Sequence, residues 1–351
     1  MTDKGNIGFA IVGTGAIAET HATAIGMVEG AELRAVFNRN GDKARAFARE
    51  FGSRVEADLP SLLAAPDIDV VCVTTPSGAH EEIAVPALES GKHVLCEKPL
   101  EINLERVDRM IAAARRNGRL LAAVFPSRLG IGARTVKAAM EAGRFGRLTL
   151  CSAYIKWWRS QAYYDEGGWH GTWALDGGGA MMNQAIHYVD LLQWLVGMPG
   201  RVHAFAGSLA HERIEVEDTL VASVQYANGA LGVIECATSC SPGYARRIEI
   251  CGDQGSIILE DDTIKQWDFA DELPGDEEIR KGRVSSGLKG GTADPRAVSC
   301  EGHRLQIVDL IHALREGRPP AIPGEDGRHA VAIVRAAYES AQTGQVVELA
   351  D

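Results

Sequence analysis

Two side chains that can move protons stand in distinctive settings in this sequence. Lys98 lies between Glu97 and Pro99, directly after the apolar run His93–Cys96. Proline fixes its own φ and restricts the residue before it, so the ammonium group of Lys98 is held at a defined place. A lysine held in this way is a candidate acid, base or hydroxyl-polarising group. A surface lysine paired with Glu97 is the structural alternative.

A second candidate lies on a segment that follows the glycines Gly177–Gly179. Asn183 and His187 are four residues apart, and Asp190 follows three residues later. In an α-helix predicted over 180–196, these three side chains can therefore face the same side. An imidazole at a cleft donates and accepts protons near neutral pH. The alternative for His187 is a histidine satisfied inside the core.

Four of the six tryptophans fall between these two candidates, interleaved with arginine, tyrosine and glycine. Aromatic faces and hydrogen-bonding side chains together suit a wall that stacks on sugar rings and binds their hydroxyls. We therefore predict a sugar pocket, with core packing as the alternative. Its predicted lining comprises Arg159, Tyr163, Trp169, Thr172 and Trp173, together with Lys98, Asn183 and His187.

A glycine-rich turn at the start of the chain predicts the cofactor. It follows the apolar run 7–12 and leads into a helical stretch. Glycines allow a tight turn, and the first N–H groups of the helix can bind a pyrophosphate. A plain strand-to-helix turn is the alternative. The predicted contact residues are Gly13, Thr14, Gly15, Ala16, Ile17 and Ala18.

The end of the next strand indicates which dinucleotide binds. An acidic residue there would bind the 2′-hydroxyl of the adenosine ribose, but the chain has Asn38 and Arg39, with Lys43 a turn later. These residues favour NADP over NAD, because they would tolerate or attract a 2′-phosphate. An arginine stacked on the adenine ring and a solvated basic turn are the alternatives.

A nearly uninterrupted apolar strand, 69–74, predicts the centre of a parallel sheet. Small and hydroxylated residues at the carboxyl end of such a strand line the ligand crevice. We expect Thr75, Pro76, Ser77 and His80 there, and Glu97 with Lys98 after the next strand. For His80, capping the following helix and packing are alternatives to cofactor contact.

Alternating β and α segments predict an N-terminal, doubly wound Rossmann domain over residues 1–124. From residue 125 to 351 the pattern predicts an α+β domain with a large, mostly antiparallel open sheet, which we expect to form a homodimer or homotetramer. We expect this domain to include closing helices at 303–316 and 326–342 and a surface segment without chemistry at 271–295.

Composition excludes several classes of protein. The net charge of −11 and the absence of a basic cluster argue against a nucleic-acid partner. The chain has no apolar run that could span a bilayer and no secretion signal in residues 1–5, which predicts a cytoplasmic protein without a membrane partner. Seven cysteines without a C-x-x-C spacing read as reduced thiols, and no metal site is predicted.

The motifs together resemble the glucose-fructose oxidoreductase / inositol dehydrogenase / rhizopine catabolism (Gfo/Idh/MocA) family over essentially the whole chain. The resemblance rests on the first glycine turn, Thr75–His80, Glu97-Lys98-Pro99, the glycine-led helix and Thr343-Gly344. It implies that Lys98 and His187 are the catalytic pair. The family often has Asp at the position of Asn183, and Asn can orient a hydroxyl but cannot accept a proton.

The resemblance implies hydride transfer between NAD(P) and a secondary alcohol or ketone of a sugar, polyol or nucleotide-sugar. His187 would take the proton, and Lys98 would hold the hydroxyl and stabilise negative charge on its oxygen. Two rival functions remain. One is a glycoside hydrolase that uses transient oxidation by bound NAD, and the other is a non-catalytic nucleotide-binding sensor.

Overall fold

The computed structural model describes residues 5–166, 168–282 and 299–349. Residues 1–4 and 283–295, which carry parts of two sequence predictions, lie outside the described residues. The strands are β1 Ile7–Val12, β2 Ala31–Phe37, β3 Arg54–Val55, β4 Val70–Val73, β5 His93–Cys96, β6 Leu121–Ala123, β7 Leu148–Lys156, β8 Pro199–Gly207, β9 Thr219–Tyr226, β10 Leu231–Ala237, β11 Arg247–Gly252, β12 Gly255–Glu260, β13 Thr263–Phe269 and β14 Val347–Glu348. The α-helices are α1 Ala16–Gly26, α2 Gly41–Phe51, α3 Leu59–Ala64, α4 His80–Glu89, α5 Leu104–Asn117, α6 Ile131–Glu141, α7 Gln161–Glu166, α8 Ile186–Val196, α9 Asp276–Arg280, α10 Glu301–Glu316 and α11 Gly324–Thr343.

The chain divides into two compact units. The first unit comprises Met1–Pro126 and Cys300–Arg328, and the second comprises Ser127–Ser299 and His329–Asp351. The first unit contains a six-stranded sheet in the order β3-β2-β1-β4-β5-β6, with every pair parallel. This order reverses between β1 and β4, which is the switch point of a doubly wound sheet. The predicted Rossmann architecture is confirmed.

The composition of the first unit differs from the predicted division at residues 124 and 125. Helix α10, which the sequence pattern assigns to the second domain, packs on the core of the first unit. Its residues Ile307, Leu310 and Ile311 are at most 2% exposed and share a cluster with Phe9 and Ile11. An amphipathic helix shows which of its faces is buried, but the sequence does not say which sheet it covers.

The second unit is built on an eight-stranded sheet in the order β13-β12-β11-β7-β10-β9-β8-β14. Strands β7 and β10 pair in parallel, and the other neighbours are antiparallel. Strand β9 alternates strictly between buried and less buried residues. One face of this strand therefore packs on the core, as expected for an antiparallel sheet with one covered face. The predicted mostly antiparallel sheet is confirmed.

The glycine-led helix differs from the single α-helix predicted over 180–196. Residues Ala180–Ala185 form a π-helical turn, and regular α-helix begins only with α8 at Ile186. Asn183 therefore lies on the π turn, while His187 lies on α8. Short π segments frequently occur at functional sites. Helix α7, which carries Tyr163, lies in the stretch for which the sequence predicts the wall of a sugar pocket.

None of the helices in the described part of the chain has the length and apolarity needed to cross a membrane.

Candidate active site

The first glycine turn has the backbone that its sequence predicts. Gly13 has φ +102°, and a Cβ there would lie 2.6 Å from the carbonyl oxygen of Thr74. Gly15 precedes α1 without a side-chain cap, and a Cβ built there would meet no described atom within 4 Å. Ala18 is fully buried, which lets α1 pack closely on the sheet. The first N–H groups of α1 thus suit a pyrophosphate.

Asn38 supports the glycine turn. Its Nδ2 donates to the Thr14 hydroxyl at 2.5 Å, and its Oδ1 accepts from the backbone N–H of Asn40 at 2.8 Å. Asn40 in turn caps α2. Asn38 therefore supports the turn, and the neighbouring Arg39 is exposed.

The loop after β4 is tied to the loop after β5 through His80. The buried ring of His80 contacts the Thr75 carbonyl oxygen at 3.0 Å and the Pro99 carbonyl oxygen at 2.9 Å. Burial lowers the pKa of His80, which favours a neutral ring that donates to one of these carbonyls. Ser77 is buried at the start of a short 3₁₀ turn that includes Gly78. His80 thus acts as a brace between two loops at the edge of the sheet.

Glu97 is a buried carboxylate directly beside Lys98. Its Oε1 accepts from His21 at 2.9 Å and from His303 at 3.3 Å, and its Oε2 accepts from the Lys98 backbone N–H at 3.1 Å. Burial alone would raise the pKa of Glu97, but the hydrogen bonds from the two histidines outweigh it and hold that pKa well below its usual range. Lys98 itself is half-buried. The carboxylate therefore fixes the backbone that carries the candidate amine.

Among the described residues, one group of side chains has the composition and spacing of a metal site, and it consists of His21, Glu97 and His303. Their possible ligand atoms lie within 4.8 Å of one another. Metal-bound histidines almost always donate their other ring N–H to a partner. The Nδ1 atoms of His21 and His303 have no such partner among the described residues. The donor set therefore fits a hydrogen-bond network better than a metal ion.

The predicted sugar-pocket residues of the second unit cluster around Tyr163. The Arg159 guanidinium is buried and lies 5.5 Å from the centre of the Tyr163 ring. The Tyr163 hydroxyl is 3.3 Å from the Nδ1 atom of His170, and the two rings are stacked. His170 also contacts the ring of Trp169, with 3.9 Å between the ring centres. The sequence pattern does not single out His170 as a site residue.

Thr172 and Trp173 continue this wall in different ways. The Thr172 hydroxyl donates to the carbonyl oxygen of Trp169 at 2.7 Å, so it shapes the loop. Trp173 is 37% exposed and packs edge-on against Tyr338. Trp173 therefore keeps an accessible aromatic surface, which suits stacking on a sugar.

Asn183 is held by a carboxylate that the sequence pattern does not assign to the site. The Nδ2 atom of Asn183 donates to Asp176 at 2.6 Å, and Asp176 is 1% exposed. Asp176 stands just before the glycines, and this position is its only signal in the sequence. His187 is half-buried on the first turn of α8.

Glu217 and Tyr338 hold the start of the π turn. The carboxylate of Glu217 accepts from the N–H groups of Gly179 at 2.9 Å and Met181 at 2.8 Å, and from the Tyr338 hydroxyl at 3.0 Å. A Cβ at Gly179 would lie 1.7 Å from the Glu217 carbonyl oxygen, so only glycine fits. Burial raises the pKa of Glu217 to about 7, and the hydrogen bonds, which lower this pKa, offset the effect of burial only in part.

The predicted residues thus form one group in each unit. The glycine turn, Asn38, Arg39, Thr75–Ser77, His80, Glu97 and Lys98 belong to the first unit, and Arg159, Tyr163, Trp169, Thr172, Trp173, Asn183 and His187 belong to the second. The pairing of Lys98 with His187 in catalysis stays a prediction.

Known proteins match both units. Residues 7–125 match the oxidoreductase family with an NAD-binding Rossmann fold, and residues 133–258 match the GFO/IDH/MocA C-terminal domain. The chain belongs to the Gfo/Idh/MocA oxidoreductase family. The predicted family is therefore confirmed, and with it a nicotinamide-dependent oxidoreductase.

Other members of the Gfo/Idh/MocA family resemble the chain over at least 97% of its length. The WlbA dehydrogenase from Bordetella pertussis, solved with NADH and UDP-GlcNAcA, is 34% identical, covers 99% of each chain and has a TM-score of 0.91. Myo-inositol 2-dehydrogenase of Thermotoga maritima is 28% identical over 97% of each chain. D-glucoside 3-dehydrogenase of Escherichia coli is 27% identical over 97% of each chain.

The raised pKa of Glu217 predicts a pH-dependent stability. The folded carboxyl keeps its proton up to about pH 7, whereas the unfolded one loses it near its ordinary pKa of 4.5. The stabilisation is therefore complete below the unfolded pKa and is lost as the pH rises through the folded one. We expect wild type to lose more stability than Glu217→Gln between pH 5 and pH 8 in urea unfolding.

The exposed Glu212→Gln serves as the control and should follow wild type across this pH range. If the free energy of unfolding changes with pH in the same way in wild type and Glu217→Gln, Glu217 does not have a raised pKa in the folded protein.

Proposed function

We propose that the protein oxidises a secondary hydroxyl of a nucleotide-activated, anionic sugar, of the class of UDP-linked acetamido-uronates. The observation that carries this proposal is the buried guanidinium of Arg159 beside Tyr163. Arginine stays charged at any working pH and pairs with carboxylates and phosphates through two parallel hydrogen bonds. An anionic sugar complements this charge better than a neutral polyol does. The WlbA relative was solved with UDP-GlcNAcA, which has this chemistry.

The roles of the reacting groups follow from what oxidation requires. The hydroxyl must lose its proton while the carbon loses hydride, and a bound nicotinamide supplies the hydride acceptor. We propose that His187 takes the proton from the hydroxyl oxygen. Lys98 holds that hydroxyl and stabilises negative charge on its oxygen, and Asn183 orients it.

The residues of the first unit fit a dinucleotide. The start of α1 has no side-chain cap, Gly15 faces open space, and the buried hydroxyl of Thr75 has no partner among the described residues. For the choice of cofactor we propose NADP, supported by Arg39 and by the lack of an acidic residue at the end of β2. The NADH bound to the WlbA relative points the other way, so both cofactors belong in every assay.

We also propose a cytoplasmic location. All seven cysteines are free, and four of them are buried. Free thiols fit a reducing compartment, where disulfides are rare.

The substrate proposal is tested with a panel of UDP-GlcNAcA, UDP-GlcNAc, myo-inositol and aryl glycosides, each assayed with NAD and NADP. We expect the highest kcat/KM for UDP-GlcNAcA. Arg159→Gln should lower that value by about 10- to 100-fold, because a charge-assisted hydrogen bond is lost, and should change the value for UDP-GlcNAc less. An equal decrease in kcat/KM for both nucleotide-sugars would show that Arg159 does not bind the carboxylate of the sugar.

The rival functions give different results on the same panel. Release of free sugar from aryl glycosides without added cofactor would indicate the glycoside hydrolase. Nucleotide binding without hydride transfer to or from any member would indicate the sensor.

The catalytic pair is tested by removing each side chain. Lys98→Ala and His187→Ala should each lower kcat by about 100- to 10,000-fold, because a positioned proton-transfer or charge-stabilising group is lost. Binding of NADPH and of NADH, followed by fluorescence, should persist in both variants. The controls are Lys265→Ala, which removes a half-exposed lysine, and His312→Ala, which removes an exposed histidine. Near-normal turnover in either site variant refutes its assignment.

We further propose that the open sheet of the second unit joins copies of the chain into a dimer or tetramer. On its outward face, Phe205 is 73% exposed and lies opposite Val221, which is 45% exposed. Leu231 and Leu150, also neighbours in the sheet, are 55% and 48% exposed. Apolar side chains grouped on an exposed sheet face mark an interaction surface.

A charge placed on this face should break the assembly. We expect Phe205→Glu to lower the mass measured by light scattering at micromolar concentration, because the carboxylate would be buried unpaired. Ile131→Glu changes a half-exposed residue on α6 and should leave the mass unchanged. A wild-type protein that is already monomeric would refute the proposed assembly.

A further inference from the structure

The carboxylate of Asp176 is shared by two donors. Its Oδ1 accepts from the Nδ2 of Asn183 at 2.6 Å, and its Oδ2 accepts from the backbone N–H of Gly171 at 2.9 Å. An ionised carboxylate can only accept hydrogen bonds. Asn183 must therefore turn its NH₂ group toward Asp176, which points its carbonyl oxygen in a different direction.

The second donor to Asp176, the backbone N–H of Gly171, is held in place by the hydrogen bonds of the surrounding loop. The carbonyl oxygen of Gly171 accepts from the backbone N–H of Glu215 at 2.8 Å, so hydrogen bonds hold the residue on both sides of its Cα. The backbone N–H of Asp176 is itself bonded to the carbonyl oxygen of Thr172 at 3.1 Å. The other donor, the side-chain amide of Asn183, has an NH₂ group at one end and an oxygen at the other, and these two ends can exchange places.

We propose that Asp176 is a positioning residue that sets the donor and acceptor ends of Asn183, so that the Asn183 carbonyl oxygen accepts a hydrogen bond from the substrate hydroxyl. This inference rests on the proposed function, in which Asn183 orients that hydroxyl. Asp176 itself touches no reacting atom. Its charge makes the orientation of the amide unambiguous, since the reversed amide would place oxygen against oxygen.

The substitution Asp176→Asn should reverse Asn183 without changing its shape. An asparagine at 176 has one oxygen and one NH₂ group for two donors. The fixed Gly171 N–H takes the oxygen, so the NH₂ group faces Asn183. Asn183 then flips to offer its own oxygen, and its NH₂ group is left where the substrate hydroxyl requires an acceptor.

The exchange of the two residues should restore the arrangement. In Asp176→Asn combined with Asn183→Asp, the new carboxylate at 183 accepts from the NH₂ group at 176. Its second oxygen takes the place of the Asn183 carbonyl oxygen. Asn183→Asp alone places two carboxylates against each other, and their repulsion drives them apart.

The test measures kcat and KM on the best substrate of the panel for wild type, both single variants and the double variant. We expect kcat to fall about 100-fold in each single variant, with unchanged binding of NADPH and NADH, and to return to within about tenfold of wild type in the double variant. Asp276→Asn changes a buried aspartate that accepts from Trp267 and Leu273, and should keep normal kcat. Additive losses in the double variant, or full activity of Asp176→Asn, overturn the proposal.

A second readout does not need turnover. In protein labelled with ¹⁵N-asparagine, the side-chain NH₂ signal of Asn183 is identified by its loss in Asn183→Asp. We expect it downfield in wild type, where it donates to a carboxylate, and upfield in Asp176→Asn. An unchanged signal overturns the proposal. A wild-type protein that oxidises no sugar but shows this shift refutes the proposed function and leaves the positioning role standing.

Discussion

Buried carboxylates hold the predicted catalytic residues in both units. Glu97 accepts from the Lys98 backbone, Asp176 accepts from Asn183, and Glu217 accepts from the turn that leads to His187. A carboxylate removed from water is stable only when donors surround it. Each one therefore requires a fixed set of N–H groups, and that requirement fixes the neighbouring backbone. Within each unit, the placement of the predicted catalytic residues depends on these carboxylates.

For two of these carboxylates, donors come from distant parts of the chain. Glu97 is satisfied by His21 on α1 and His303 on α10, and Glu217 by Tyr338 on α11. Tyr338 also accepts from the N–H groups of Gly179 and Met182, so the first turn of the glycine-led helix is satisfied by side chains. The N–H groups of Gly179, Met181 and Met182 at the start of the π turn are thus bonded to two side-chain acceptors.

Local patterns are enough to predict much of the fold. Gly13 and Ala18 are placed as a strand–turn–helix unit requires, and the repeated βα units predict the doubly wound parallel sheet that the structure has. The packing of α10 on the first unit could not be predicted, because an apolar stripe on a helix does not show which sheet the helix covers. Asp176 and His170 escape it for a related reason. Their roles come from hydrogen bonds and ring contacts made once the loop has folded, and no spacing rule links either residue to Asn183 or Tyr163.

The membership of α10 in the first unit bears on how the protein is made. The ribosome synthesises the chain from its N-terminus, so residues 1–126 emerge long before residues 300–328. Until then the apolar surface that Ile307 and Leu310 will cover is exposed to solvent. Glu97 can contact His21 but not yet His303. The nascent protein therefore cannot complete the hydrogen bonds of Glu97, the neighbour of Lys98, until residue 303 has been synthesised. A chain that stops before this residue carries the Lys98 amine without that support.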